Sequence, residues 1–266
     1  MANLQLSAVR PPAVAGLFYP ADPVELRAAV NAHLCEAEHL GIRPKALIVP
    51  HAGYVYSGAV AATAYRQIMD RTSDIHRVVV LGPSHRVPFT GLAFPTTAAF
   101  RTPLGDVAID TDTVDRLAAL PPVQVLNAAH TREHSLEVHL PFLQVILDDF
   151  TLVPLVVGDV SSADVAAVLN AVWDDEETFV VVSSDLSHYH SYDSARRIDA
   201  ETLGAIERLD AGFIGPERAC GCHPINGLLH LAAEKELGVR VLNSCNSGDT
   251  AGDRSTVVGY AACAVF

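Results

Sequence analysis

The sequence is poor in basic residues, and above all in lysine. It has 18 Lys and Arg residues against 31 Asp and Glu, which gives a formal net charge of −13 at pH 7, and its lysines are Lys45 and Lys235. Nucleic-acid binding draws mainly on the neutralisation of phosphates, and the densest basic feature here is the pair Arg196-Arg197. We therefore expect no nucleic-acid partner.

Long apolar runs and cysteine-rich motifs are also missing. No stretch approaches the roughly 18 apolar residues of a membrane span, so we expect no membrane partner. Residues 1–5 lack the charged and apolar regions of a secretion signal. The five cysteines form an odd number without the density of a disulfide scaffold, and Cys220-Gly221-Cys222 is tighter than structural zinc spacing. These features favour a reduced, cytoplasmic setting.

Aromatic residues make up only 6% of the chain, whereas 50% is hydrophobic, so the core must be mainly aliphatic. Short aliphatic runs at 46–49, 77–81, 152–157 and 179–182 are typical of strands buried on both faces. Helical patterns alternate with them at 22–41, 57–69, 112–120, 133–147, 162–173, 191–209 and 224–237. We predict a single α/β domain over residues 1–266, with a largely parallel central sheet and helices on both faces.

A histidine follows three of the strand-like runs. His51 follows the first run in Pro50-His51-Ala52-Gly53-Tyr54, His85 follows the second, and His188 follows the run that ends near residue 182. Open α/β sheets bind ligands at the carboxyl ends of their strands, so we expect the three to converge. Neutral imidazole is the commonest metal ligand and a good general base near pH 7. Alternatively, each histidine alone caps a loop through a backbone carbonyl.

Glu137 lies in a histidine-rich segment with His130, His134 and His139. On a helix, His134 and Glu137 would share a face because they are three residues apart. Glu137 would then orient a ligand histidine, or it would belong to a surface charge cluster.

Two further segments carry candidate groups. Asp185 precedes His188 by three residues and would either hold its imidazole in one tautomer or cap the next turn. The loop at 246–253 does not match a phosphate-binding loop. It would instead carry Cys245, Asp249 or Thr250 towards the histidines.

Several of these motifs together resemble the Memo family, whose fold is similar to that of the class III extradiol dioxygenases. The matching stretches occur in order along nearly the whole chain. They are Pro50-His51-Ala52-Gly53-Tyr54, Gly82-Pro83-Ser84-His85, the stretch 133–141, Ser183-Ser184-Asp185-Leu186-Ser187-His188, Cys222-His223-Pro224-Ile225 and Val258-Gly259-Tyr260-Ala261-Ala262.

The resemblance implies a non-haem metal site with His51 and His85 as ligands and with His188 as a catalytic residue. Fe(II) is the expected metal, with copper or zinc as alternatives. Animal members supply a cysteine ligand from the loop before the last strand. Ungapped counting places Thr250 there and Cys245 five residues earlier, so we take Cys245 as the expected third ligand, with Thr250, Asp249 or water as alternatives. Prokaryotic members further imply a radical-SAM protein as a partner.

Three functions are compatible with these residues. The first is a metal-dependent, dioxygenase-like oxidoreductase in which His51 and His85 hold the metal, His188 moves a proton, and Asp185 and Glu137 assist. The second is a non-catalytic module that binds a peptide or small molecule in the same cleft. The aromatic residues expected to line that cleft are Tyr54, Tyr56 and Tyr189. The third is a zinc hydrolase that activates water.

Overall fold

The structure is a computed structural model that describes residues 8–173 and 176–266. Residues 1–5, on which the prediction of no secretion signal rests, lie outside the described residues. Within those residues, each helix is either too short or too polar to cross a membrane.

The described residues form strands and helices that alternate along most of the chain. The strands are β1 (Val9–Arg10), β2 (Ala46–Val49), β3 (Arg77–Pro83), β4 (Leu92–Phe94), β5 (Ala99–Thr102), β6 (Gly105–Ala108), β7 (Val123–Val125), β8 (Thr151–Val157), β9 (Thr178–Ser183), β10 (His188–His190), β11 (Val239–Asn246) and β12 (Val257–Val265). The helices are α1 (Pro23–Glu36), α2 (Tyr54–Tyr65), α3 (Thr111–Leu117), α4 (Asn127–Thr131), α5 (Leu140–Ile146), α6 (Ser162–Trp173), α7 (Tyr192–Glu207) and α8 (Cys222–Glu234).

The main sheet has the order β10-β12-β2-β9-β3-β8-β4-β7, and β11 also pairs with β12. Its centre, β2-β9-β3-β8, is parallel, as predicted. The flanks differ from the prediction, because β12 pairs antiparallel with β2 and β4 pairs antiparallel with β8. The aliphatic runs of the central strands are almost wholly buried, which explains their lack of polar alternation. The fold is therefore mixed α/β.

Local sequence signals set several helix ends. The Asp22 side chain accepts hydrogen bonds from the backbone N–H groups of Val24 and Glu25, so Asp22 is the N-cap of α1. Helix α6 has the predicted bounds.

The helix predicted over 133–147 is wrong in its first half. Two backbone N–H groups of this segment, those of His134 and Ser135, donate to the Glu133 carboxylate instead of to a helix. A 3₁₀ turn at Glu137–His139 then leads into α5, where Pro141 occupies the first turn and needs no N–H partner.

Residues 9–20, which we call the N-terminal arm, precede α1. The arm is mostly irregular, as its Pro and Gly content predicts, although β1 adds to a small sheet with β5 and β6. Phe18, near its end, accepts a hydrogen bond through its carbonyl oxygen from the N–H of Tyr54, at the start of α2. The arm therefore reaches the loop that carries His51.

Candidate metal centre

The carboxyl ends of β2 and β3 bring His51 and His85 together. The two strands flank β9 in the parallel centre of the sheet, so the loops that follow them meet at one edge. The ring centroids of His51 and His85 are 5.1 Å apart. The predicted convergence of these two imidazoles is confirmed.

His134 completes a group of three imidazoles. Its ring centroid lies 5.4 Å from that of His51 and 4.7 Å from that of His85. One ring nitrogen from each histidine lies within 4.8 Å of the others, so the group could hold a metal ion. His134 is a ligand that the strand-end pattern does not predict, because no strand runs directly into it. The sequence signal for it is the adjacent carboxylate in Glu133-His134.

Glu133 holds the two more accessible imidazoles of this group. Its Oε1 accepts a hydrogen bond from His85 Nδ1 at 2.8 Å and lies 3.4 Å from His134 Nδ1. Burial raises the pKa of the Glu133 carboxyl, but the hydrogen bonds and charge of His85 outweigh it and lower that pKa to about 2. The ionised carboxylate keeps a proton on His85 Nδ1, which leaves His85 Nε2 for a metal.

His51 is the buried member of the group. Its Nδ1 lies 2.6 Å from Ser183 Oγ, and its Nε2 lies 3.5 Å from Cys220 Sγ and 3.9 Å from Asp185 Oδ2. Burial, followed by the neighbouring imidazoles, lowers the pKa of His51 well below its usual value, and burial lowers that of His134 to about 4. Both imidazoles are therefore neutral at pH 7, the form that binds metals.

The three imidazoles open into a cavity of about 690 Å³. Its wall is completed by Phe18, Arg86, Asp185, His188, Tyr189, His190, Pro216, Glu217 and Cys220. The sequence does not predict Cys220 at this site, because Cys220-Gly221-Cys222 resembles at most a structural zinc motif. Burial raises the pKa of the Cys220 thiol well above its usual value.

Asp185 and His188 both line the cavity, but they do not pair as expected. His188 Nδ1 donates to the carbonyl oxygen of Leu186 at 2.8 Å, so that carbonyl and not Asp185 sets its tautomer. Asp185 Oδ1 instead accepts a hydrogen bond from the backbone N–H of His51 at 2.8 Å. Burial raises the pKa of Asp185 to about 7. The proposed catalytic roles of the two side chains remain predictions.

Glu137 lies away from the cavity wall and bonds to the N-terminal arm, so the prediction that it orients a ligand histidine is wrong. Both of its oxygens accept two hydrogen bonds each from the N-terminal arm, and the side chain is fully buried. The donors are Arg10 Nη1 at 2.7 Å, the N–H groups of Ala13 at 2.7 Å and Val14 at 3.0 Å, and Tyr19 OH at 2.6 Å. Four donors saturate the carboxylate, so Glu137 anchors the arm.

The structure does not bring Cys245 into the histidine group, where His134 takes the third place. Cys245 lies on β11 opposite Tyr260, and burial raises the pKa of its thiol to about 11. The alternatives are also held elsewhere: Asp249 accepts from Tyr192 OH, and Thr250 Oγ1 donates to the carbonyl oxygen of Ser247.

Of the three aromatic residues expected in the cleft, Tyr189 lines the cavity. Tyr54 is buried and donates its hydroxyl proton to the carbonyl oxygen of Val138, and Tyr56 is not part of the cavity wall.

The fold and the site together define a mixed α/β protein with a candidate three-histidine metal centre at the carboxyl edge of its sheet. The family described as Memo-like protein matches residues 10–264. A MEMO1 family protein from Aquifex aeolicus is 38% identical over 270 residues, which cover 95% of this chain and 97% of the relative. One from Thermoplasma volcanium is 36% identical, with 95% and 96% covered. The chain belongs to the Memo family.

A solved structure supports the fold alone. The crystal structure of uncharacterized protein JW3007 from Escherichia coli K12 superposes with a TM-score of 0.50 at 12% sequence identity. The match covers 84% of this chain and 100% of the other.

Proposed function

We propose that this chain is a metal-dependent oxidoreductase whose metal is held by His51, His85 and His134. The observation that carries the proposal is the convergence of three imidazole nitrogens within 4.8 Å at one sheet edge. The donor set fits a metal, because two of the rings are neutral at pH 7 and Glu133 orients the third. Iron(II) is our first choice of metal, with copper or zinc as alternatives, and the resemblance to dioxygenase-like folds supports it.

When bound, such a metal supplies Lewis acidity and, for iron or copper, one-electron chemistry. The protein supplies groups that handle protons in the same cavity. His188 donates from Nδ1 to a carbonyl oxygen, so its Nε2 carries no proton in the neutral ring and can accept one. The raised pKa of Asp185, about 7, makes its carboxyl a proton donor or acceptor near neutral pH.

Zinc hydrolysis is the second candidate function. Three histidine ligands with an open position are typical of catalytic zinc, and the donor set here is of that kind. A non-catalytic binding module ranks third, since Tyr189 is the one predicted aromatic residue placed in the cavity wall. A radical-SAM partner and a small-molecule or peptide ligand remain predictions.

Metal loading tests the proposal. Purified protein is loaded anaerobically with Fe(II) or Zn(II), desalted and assayed by elemental analysis, oxygen consumption and ester or amide hydrolysis. We expect about one iron per chain, and a marked loss of it in His51→Ala, His85→Ala and His134→Ala. The matched control is His39→Ala, because His39 is an exposed surface histidine.

The outcomes separate the candidates. Iron that binds at the three histidines and supports oxygen consumption favours the oxidoreductase. Tight zinc with no iron favours the hydrolase. Metal content that is the same in all four variants would contradict both.

A further inference from the structure

Ser183, at the end of β9, joins two imidazoles in the interior of the protein. Its Oγ lies 2.6 Å from His51 Nδ1, 2.8 Å from His139 Nε2 and 2.6 Å from the carbonyl oxygen of Ser135. On the far side, His139 Nδ1 lies 2.9 Å from Tyr65 OH. All five residues are at most 1% exposed, so these groups have one another as partners in place of bulk water.

The positions of the protons follow from the chemistry of each partner. A carbonyl oxygen only accepts, so the single hydroxyl proton of Ser183 is directed at the Ser135 carbonyl. Ser183 Oγ must then accept from both imidazoles, which requires protons on His51 Nδ1 and on His139 Nε2. His139 Nδ1 is left as the acceptor for the Tyr65 hydroxyl. Every polar atom in this chain of contacts is satisfied by one assignment.

We propose that Ser183 is a positioning residue that locks His51 in the Nδ1–H tautomer, so that its Nε2 lone pair faces the cavity. The link to metal binding rests on the proposed function, whereas the tautomer itself does not. His51, the buried histidine of the centre, thus contacts a neutral hydroxyl. The more accessible His85 and His134 contact the Glu133 carboxylate instead.

Removal of the hydroxyl acts on His51 through its tautomer. In Ser183→Ala, His51 Nδ1–H loses its acceptor in a buried position, whereas Nε2 still faces Cys220 and Asp185. The ring then gains by moving its proton to Nε2, where Cys220 Sγ, 3.5 Å away, can accept it. A proton on Nε2 must be displaced before a metal binds, so affinity falls.

Nuclear magnetic resonance of the metal-free wild-type protein tests the tautomer directly. Protein labelled with ¹⁵N-histidine is recorded at neutral pH, and the His51 ring signals are assigned by their absence from His51→Gln. We expect the pattern of an Nδ1–H tautomer for His51 and of an Nε2–H tautomer for His139. An Nε2–H or doubly protonated His51 would overturn the proposal, whether or not the protein binds metal.

Metal affinity then tests the consequence in three variants, with Co(II) as the spectroscopic probe. Ser183→Ala should bind Co(II) roughly 10- to 100-fold more weakly, as is usual for loss of a group that orients a ligand. Ser183→Thr keeps the hydroxyl and should recover most of that loss. Tyr65→Phe is the matched control, since it removes a hydroxyl from the same buried chain of contacts but leaves the Ser183 acceptor in place.

The control separates positioning from general stability. Tyr65→Phe should lower the denaturation midpoint while Co(II) affinity changes less than about threefold. Equal losses of affinity in Ser183→Ala and Tyr65→Phe would overturn the proposal. If wild-type protein binds no metal at all, the proposed function fails, and the histidine spectra still decide the role of Ser183.

Discussion

Glu133 and Glu137 lie four residues apart in one short segment, and both side chains are at most 2% exposed. Glu133 accepts a hydrogen bond from the ring of His85 in the candidate metal centre. Glu137 accepts hydrogen bonds from the N-terminal arm, including an ion pair with Arg10. One end of the segment therefore organises the candidate site, and the other end anchors the N-terminal arm.

The difference shows that residue type and burial do not by themselves assign a carboxylate to function. The partners do. Glu133 holds an imidazole whose other nitrogen stays available for a ligand, whereas the four donors around Glu137 leave it no free acceptor position. Perturbing the first should change binding more than stability, and perturbing the second should do the opposite.

The largest expected effect is the loss of stability in Glu137→Ala. The change leaves the buried Arg10 guanidinium, 4% exposed, without its carboxylate, which typically costs about 3–5 kcal/mol. Urea unfolding measures the free energy, and metal binding measured well below the unfolding midpoint should stay close to that of the wild type. A variant with unchanged stability and lost metal would reverse the comparison.

Acid should also lower the stability of the region around the arm, through protonation of His130. The carbonyl oxygen of His130 accepts a hydrogen bond from Arg10 Nε, and its ring Nε2 donates to the Ala93 carbonyl oxygen. Its buried Nδ1 has no hydrogen-bond partner within residues 8–173 and 176–266. Burial lowers the pKa of His130 from 6.5 to about 4. The unfolded chain therefore binds the proton first, so stability is full above pH 6.5 and falls towards pH 4, by about 3 kcal/mol in all.

The check is the free energy of unfolding measured by urea between pH 7.5 and pH 4. His130→Asn should show a shallower decline over this window than the wild type. His39→Asn, at an exposed position, should follow the wild-type slope. Parallel slopes in wild type and His130→Asn would refute the assignment.

Glu133→Gln should weaken metal binding more than it lowers the stability of the fold. Glutamine lacks the charge that holds the proton on His85 Nδ1, so we expect roughly 30-fold weaker metal binding, or about 2 kcal/mol. Glu217→Gln is the matched control, because Glu217 also lines the cavity but its side chain is 70% exposed and bonds to no histidine among the described residues. Equal affinity losses in the two variants would count against a specific role for Glu133.

The smallest expected effect is that of Tyr19→Phe. The variant removes one of the four donors to Glu137, the hydroxyl at 2.6 Å, and leaves Arg10 and two backbone N–H groups. Because the acceptor is charged, we expect a loss of about 1.5 kcal/mol in thermal or urea unfolding. Metal affinity should be unchanged; a tenfold loss would mean that the arm also controls the site.

Much of the fold could be predicted because its signals are local. The aliphatic runs predict β2, β3, β8 and β9, and Asp22 and Pro23 mark the start of α1. The antiparallel pairing of β12 with β2 could not be predicted, since nothing within either strand specifies its direction. The short strand β10 exists through its pairing with β12 and has no strand pattern of its own.

The candidate site likewise contains residues that could be predicted from the sequence and residues that could not. His51 and His85 could be found because a position rule places ligands after parallel strands. His134 sits in an irregular segment shaped by the Glu133 side chain, so no period reveals it. Arg10, which forms an ion pair with Glu137, lies 127 residues away along the chain. Only the folded structure shows that the Glu137 carboxylate already has its hydrogen-bond donors.

The place of β9 between β2 and β3 has a consequence for biosynthesis. As the chain leaves the ribosome, β2 and β3 emerge long before β9, yet each pairs with β9 and the sheet order keeps them apart. In the nascent protein, neither β2 nor β3 can form its hydrogen bonds with β9 until the residues of β9, up to Ser183, have been synthesised. Ser183 is the last residue of that strand, so the hydroxyl that contacts His51 is placed by the strand that fills the centre of the sheet.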